Sequence, residues 1–313
     1  MASTVKRVAV VATGVIGASW AAYFLAQGLD VEATDPSAGA EDRLRQAVAA
    51  HWEPLSRQGL AAGASLERLW FHARLEDALA QADFVQESGP ERLDFKVDLF
   101  RRMDAAAPAH AILASSSSGL AVSDMQAQCA RPERVVLGHP FNPPHMIPLV
   151  EVGGGRHTAP EAIARAMAFY THIGKRPIHV KREIKGHIAN RLQAALWREA
   201  FHLVNEGVAS VTDIDTAIAQ GPGLRWALMG PFMNLHLSGG DGGIAHVLAH
   251  LGSPIEDWWC DLGAPSMSDA LKSQVAEGVA QELGARQTHD LACARDALLI
   301  DLLRAKQSSG VLD

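Results

Sequence analysis

Cysteine is scarce in this chain of 313 residues, which holds only Cys129, Cys260 and Cys293. Three thiols so widely spaced give neither a disulfide framework nor the paired spacing of a zinc site. Positive charge is also short. Lys and Arg number 28 against 35 Asp and Glu, for a net charge of −7. That leaves no basic footprint for a nucleic acid. No apolar run approaches the ~18 residues of a membrane span. The segment from Met1 to Arg7 leads straight into a strand, with no signal-peptide pattern, so a cytoplasmic location is expected. His246 and His250 stand one helical turn apart, but no acidic motif accompanies them and no metal is expected.

What remains is an ordinary globular composition, 48% hydrophobic and 20% charged, long enough for two domains with their own cores. Strand and helix patterns alternate from Val8 to Val180, which predicts a doubly wound α/β domain with a parallel sheet. After about Lys185 the pattern is helical throughout. One helix is expected over 188–206, one over 211–220 with Thr212 as N-cap, and others over 223–237, 243–251, 268–284 and 288–308. The division predicted is 1–183 for a Rossmann-type domain and 184–313 for a helical domain.

The N-terminal domain opens with a dinucleotide fingerprint. Val8–Val11 reads as a buried strand, and Ala12-Thr13-Gly14-Val15-Ile16-Gly17 leads into a helix that Gly28 ends. A second strand finishes at Asp35, about twenty residues after Gly14, where a carboxylate can accept ribose hydroxyls. A 2′-phosphate would be repelled there, so NAD is expected over NADP. Gly14 would let the pyrophosphate approach, Gly17 would allow close helix–strand packing, and the helix N-terminus would supply amide donors. Ala12 stands where the fingerprint has its first glycine. Its Cβ costs little provided φ stays negative.

The run Gly138-His139-Pro140-Phe141-Asn142-Pro143, followed by Glu151 inside Leu149–Val152, carries the chemistry. An imidazole titrates near neutrality and can accept a proton from an alcohol. A carboxylate on its other ring nitrogen would fix the tautomer and stabilise the imidazolium.

Taken in order, Ala12-x-Gly14-x-x-Gly17, Glu87, Glu91 with Lys96, Ser118, the His139–Pro143 run, Glu151 and Gly186–Arg191 resemble the 3-hydroxyacyl-CoA dehydrogenase superfamily over the full length. The stretches Gln86–Asp94, Ala195–Ala200, His202–Asn205 and Gly223–Gly230 are similar to its branch that oxidises L-carnitine. The resemblance implies that His139 is the general base of oxidation and Glu151 its orienting partner. Ser118 and Asn190 would bond the substrate oxygen. Asp35 would hold the adenosine ribose, and Glu91 and Lys96 would lie by the nicotinamide ribose. The acyl-CoA enzymes carry Asn-Thr where this chain has Ser116-Ser117. A homodimer through the helical domain is implied in the same way.

Substrate size is open to argument from the residues. Only Arg43, Arg45 and Arg57 lie in 41–62, among Glu41, Asp42 and Glu53, a poor match to coenzyme A phosphates. Arg225 is the candidate partner of a substrate carboxylate. A quaternary ammonium would need aromatic faces, for which Trp226, Phe141 and Trp197 are the candidates. Four of the seven tryptophans fall in the helical half. The sequence therefore predicts NAD-dependent oxidation of a small 3-hydroxy acid, L-carnitine foremost. L-Gulonate or another 3-hydroxy carboxylate and a 3-hydroxyacyl-CoA are alternatives. A non-catalytic binding protein of dehydrogenase ancestry has only Ala12 in its favour.

Overall fold

The structure is a computed structural model that describes residues 5–310. Two compact units meet between Arg191 and Leu192. The first begins β1 (Arg7–Val11), α1 (Val15–Ala26), β2 (Asp30–Thr34), α2 (Ala40–Gln58), β3 (Leu69–His72), α3 (Leu75–Leu79) and β4 (Phe84–Glu87). It continues α4 (Leu93–Ala106), β5 (Ile112–Ser115), α5 (Val122–Met125), β6 (Val135–Pro140), β7 (Leu149–Gly154), α6 (Pro160–His172) and β8 (Arg176–Val180).

The strands form one sheet in the order β3-β2-β1-β4-β5-β6-β7-β8. The period of two in β1 sends Val8 and Val10 into the core on one face, and Ala9 and Val11 into the other. α1, α2 and α6 cover the first face; α3, α4 and α5 cover the second. α1 is buried almost all round from Gly17 to Ala26, with Trp20 stacked on Phe24 at 5.0 Å between ring centres. Burying an aromatic side chain of that kind stabilises by roughly 1.5–3 kcal/mol. In α4, Leu99, Phe100 and Met103 turn inward while Phe95 stays partly exposed.

The sheet is not wholly parallel as expected. β6 and β7 run antiparallel. A parallel pair needs a crossover of about a dozen residues or more, and the connection over 141–148 is too short for one.

The second unit takes up α7 (Ala189–Asn205), whose first turn lies in the first unit, then α8 (Val211–Ala219), α9 (Pro222–Trp226) and α10 (Pro231–Ser238). α11 (Gly243–Asp261), α12 (Asp269–Leu283) and α13 (Thr288–Ser309) complete it. Three expectations are corrected here. Ser210, not Thr212, caps α8, through a reciprocal box with Asp213. The helix expected over 223–237 is two helices, because Pro231 begins a new one after Gly230. The helix expected to stop at Leu251 continues through Pro254 to Asp261. Among the described residues no helix is long and apolar enough to cross a membrane.

Candidate active site

The strand order reverses between β1 and β4, and a doubly wound sheet binds ligands outside the carboxyl ends of its strands at that point. Ala12 ends β1 there. Its N–H donates to the Thr34 carbonyl at 2.9 Å, and its φ is +68°. The condition under which its Cβ would cost little, a negative φ, is therefore not met. The left-handed turn of the fingerprint is kept, with an alanine strained into it. Gly17 has no alternative, since a Cβ on it would lie 2.0 Å from the Ala12 oxygen. A Cβ on Gly14 would meet nothing within 4 Å. The N-terminus of α1 has no side-chain cap and no acidic residue in its first turn. With Val15 exposed and Ile16 half-buried, this end of α1 fits an anionic diphosphate.

Asp35, beyond β2, accepts the N–H groups of Thr13 at 2.8 Å and Ser37 at 2.9 Å. Burial opposes its ionisation, but these bonds outweigh burial and hold its carboxyl below the usual value. An ionised acceptor thus stands where an adenosine ribose would end. The loop, the open helix end and Asp35 together suit NAD.

The antiparallel pairing of β6 and β7 sets His139 directly opposite Glu151. His139 Nδ1 lies 2.8 Å from Glu151 Oε2, and both residues are buried. The other carboxylate oxygen, Oε1, accepts the N–H groups of Ile188 at 2.8 Å and Ala189 at 2.9 Å. Positive φ at Gly186 and at His187 (+50°) turns the chain so that both amides face the carboxylate. Burial would raise the Glu151 pKa, yet these three hydrogen bonds hold it below the ordinary carboxylate range. An ionised Glu151 only accepts, so Nδ1 carries the proton and Nε2 presents its lone pair.

Two groups of contacts tie the loops after β4 and β5 together. Ser117 Oγ donates to Glu91 Oε1 at 2.7 Å and the Gly119 N–H reaches the same oxygen at 2.9 Å, whereas Ser118 is exposed, 3.4 Å from it. Lys96 is buried and gives its ammonium hydrogens to Glu87 Oε1 (2.7 Å), Glu87 Oε2 (2.9 Å) and the Gly89 carbonyl (3.2 Å). It comes only within 4.0 Å of Glu91. Lys96 therefore shapes the loop after β4 through Glu87. Asn190 follows the two amides held by Glu151, half-buried in the first turn of α7.

The sequence did not single out His187. Its Nε2 lies 3.0 Å from the Ser117 carbonyl and its ring centre 5.1 Å from that of His139. Burial pushes its pKa down, although the bond to Ser117 opposes this. The only prior signal was its place after Gly186, at a turn.

Phe141 follows β6 and is half-buried. In the second unit, Arg225 lies in the last turn of α9, exposed, and its guanidinium makes no ion pair with the described residues. Trp226 beside it is 45% exposed. Trp197, on α7, borders an apolar groove of about 380 Å³ with Phe201, Val211 and Val275. His246 and His250 pair their rings at 4.2 Å, and no group of three metal-ligating side chains forms among the described residues.

Two family models match the chain. Residues 7–184 match the 3-hydroxyacyl-CoA dehydrogenase NAD binding domain, and residues 186–278 match its C-terminal domain. An L-carnitine dehydrogenase of Streptomyces griseus is 53% identical over 96% of this chain and 90% of its own length. One of Pseudomonas aeruginosa is 49% identical over 96% and 94%. Among solved structures, an NAD+-dependent 5-formyl-3-hydroxy-2-methylpyridine 4-carboxylic acid 5-dehydrogenase superposes with a TM-score of 0.85. It is 30% identical, covering 97% of this chain and 99% of that one.

Proposed function

Because this chain belongs to the 3-hydroxyacyl-CoA dehydrogenase family, we propose that it oxidises L-carnitine to 3-dehydrocarnitine with NAD. The observation that carries the reading is the buried His139–Glu151 pair, with Nε2 left as a base in a chain so close to L-carnitine dehydrogenases.

NAD, when bound, supplies the acceptor for the hydride that leaves the alcohol carbon. His139 Nε2 takes the hydroxyl proton as the C=O bond forms, and Glu151 stabilises the imidazolium. Ser118 and Asn190 donate to the substrate oxygen. Thr13, Gly14 and the start of α1 hold the diphosphate, Asp35 the adenosine ribose. Glu91 accepts from the nicotinamide ribose, on a loop that Lys96 shapes. Phe141, two residues after His139, would offer an aromatic face to the trimethylammonium group; in the second unit Arg225 is the candidate for the carboxylate, and Trp226 and Trp197 are further candidate aromatic faces.

Coenzyme A is disfavoured by α2. Its cations are few: Arg45 is paired with Glu41 at 2.8 Å, Arg43 gives an N–H to the Ala38 carbonyl, and Arg57 stands at the far end of the helix. Exposed Phe232, Trp258, Trp259 and Leu298 in the helical unit support a homodimer formed there. A cytoplasmic location accords with the three unpaired cysteines.

The test is NADH formation with L-carnitine, L-gulonate, 3-hydroxybutyrate and 3-hydroxybutyryl-CoA. Turnover is expected with L-carnitine. Activity on the thioester and none on carnitine would overturn the substrate, and His139→Ala should lose about 10²–10⁴ in rate.

A further inference from the structure

A polar network links the carboxyl ends of β4, β5 and β6. Gln86, fully buried in β4, has its Nε2 3.1 Å from the Gly138 carbonyl and 2.9 Å from Ser116 Oγ. The Gly138 carbonyl can only accept, so the amide orientation is fixed with NH₂ on that side. Gln86 Oε1 then accepts from the buried Tyr170 hydroxyl at 2.6 Å. Burial keeps that phenol protonated, its pKa well above the usual value.

The consequence falls on Ser116. Its oxygen is already an acceptor for Gln86, and it lies 2.9 Å from Ser88 Oγ. Of the two hydroxyl hydrogens, one occupies the bond between the serines. The other has no acceptor among the described residues, whichever serine carries it. The backbone fixes both serines: the Ser88 N–H donates to the Val11 carbonyl at 2.9 Å, and the Ser116 N–H to the Glu87 carbonyl at 2.8 Å. Both side chains are half-buried. The pair therefore offers a single unused donor at the crevice between β4 and β5, next to the end of β1.

Asp35 lies beyond β2, on the opposite side of β1 from β4 and β5. A dinucleotide with its adenosine at Asp35 crosses the end of β1 and carries its other half over β4 and β5. We propose that Ser88 and Ser116 form a subsite for the nicotinamide carboxamide, donating one hydrogen bond to its oxygen through a relay set by Tyr170 and Gln86. This deepens the cofactor reading and rests on it.

The experiment compares NAD+ with ADP-ribose, which keeps both riboses and the diphosphate but lacks the pyridine ring. Calorimetric titration of the double variant Ser88→Ala/Ser116→Ala, which leaves no hydroxyl to carry the free hydrogen, should show NAD+ binding weakened by about threefold to tenfold, the loss of one neutral hydrogen bond. ADP-ribose affinity should stay at the wild-type value. Equal weakening of both ligands would overturn the proposal, because the serines would then serve the ribose or the local fold. Unchanged NAD+ affinity in the double variant would overturn it as well. Wild-type protein that bound neither ligand would instead sink the cofactor reading beneath it.

Discussion

Glu151 divides its carboxylate between two tasks: Oε2 holds His139 Nδ1 at 2.8 Å, and Oε1 holds the first amides of α7 at 2.8 and 2.9 Å. One side chain thus fixes the tautomer of the imidazole and the position of the turn before Asn190. Glu151→Gln is isosteric but can present an N–H to Nδ1, which would move the ring proton to Nε2 and remove the base. We expect kcat to fall by about 10²–10⁴ with NAD+ affinity unchanged. Steady-state kinetics beside a calorimetric NAD+ titration checks this. A loss under tenfold would show that the carboxylate does not set the tautomer.

Ala12 carries a φ of +68° for a turn that glycine adopts without strain. A left-handed alanine costs about 1–2 kcal/mol, part of which the greater freedom of an unfolded glycine would offset. Ala12→Gly should therefore stabilise the protein by about 1 kcal/mol and raise Tm by about 2 °C. Scanning calorimetry reads it directly, and a lower Tm would mean that the methyl group contributes packing that outweighs its strain.

His145 sits buried against Ser19, with Nδ1 2.8 Å from its Oγ, the His51 ring stacked at 4.0 Å and buried Lys175 nearby. Burial first, then these two bases, push its pKa down to about 3. An unfolded histidine titrates near 6.5, so the unfolded chain takes up a proton that the native state refuses. The stabilisation is fully present above pH ~6.5 and is lost toward pH ~3, at up to about 1.4 kcal/mol per unit. His145→Gln should flatten the fall of Tm between about pH 7 and pH 4. Thermal melts across that range decide it, and parallel curves for the two proteins would exclude His145 as the group responsible.

The doubly wound fold was legible because its signals are local. Val8 to Val11 alternate between two cores, Gly17 sits where the helix backbone must approach that of Ala12, and Asp35 follows the second strand. His139 and Glu151 could be read as partners only through the family resemblance, because a spacing of twelve residues by itself says little about contact. Their antiparallel register was also readable, from a connection too short for a crossover, yet alternation of helix and strand suggested otherwise. Burial of Lys96 was not readable. Its neighbours in α4 look amphipathic, and only the tertiary fold brings Glu87 within 2.7 Å. Gln86 and Tyr170 escaped for the same reason, lying far apart in sequence. In the helical unit, Gly252 and Pro254 read as a stop, but α11 carries on through them.

Gly138 precedes the candidate base and has no side chain for a definite reason. A Cβ there would lie 2.1 Å from the Tyr170 hydroxyl and 3.1 Å from the Ala114 Cβ. Tyr170 is fully buried against Phe84 and Phe169, so its ring has no room to retreat. Gly138→Ala must push the phenol off Gln86 or shift β6, and overpacking of this kind costs about 1–3 kcal/mol. Either movement reaches His139, the next residue in the strand. We expect a lower denaturation midpoint together with a loss in kcat of about tenfold or more, since small misplacements of reacting groups are costly. Tyr170→Phe in the same background removes the clashing oxygen and should recover part of the stability, the remainder being lost because the buried Gln86 Oε1 then lacks its donor. If that pair of substitutions remained as unstable as Gly138→Ala alone, the close approach of Tyr170 would not be what requires glycine before the candidate base.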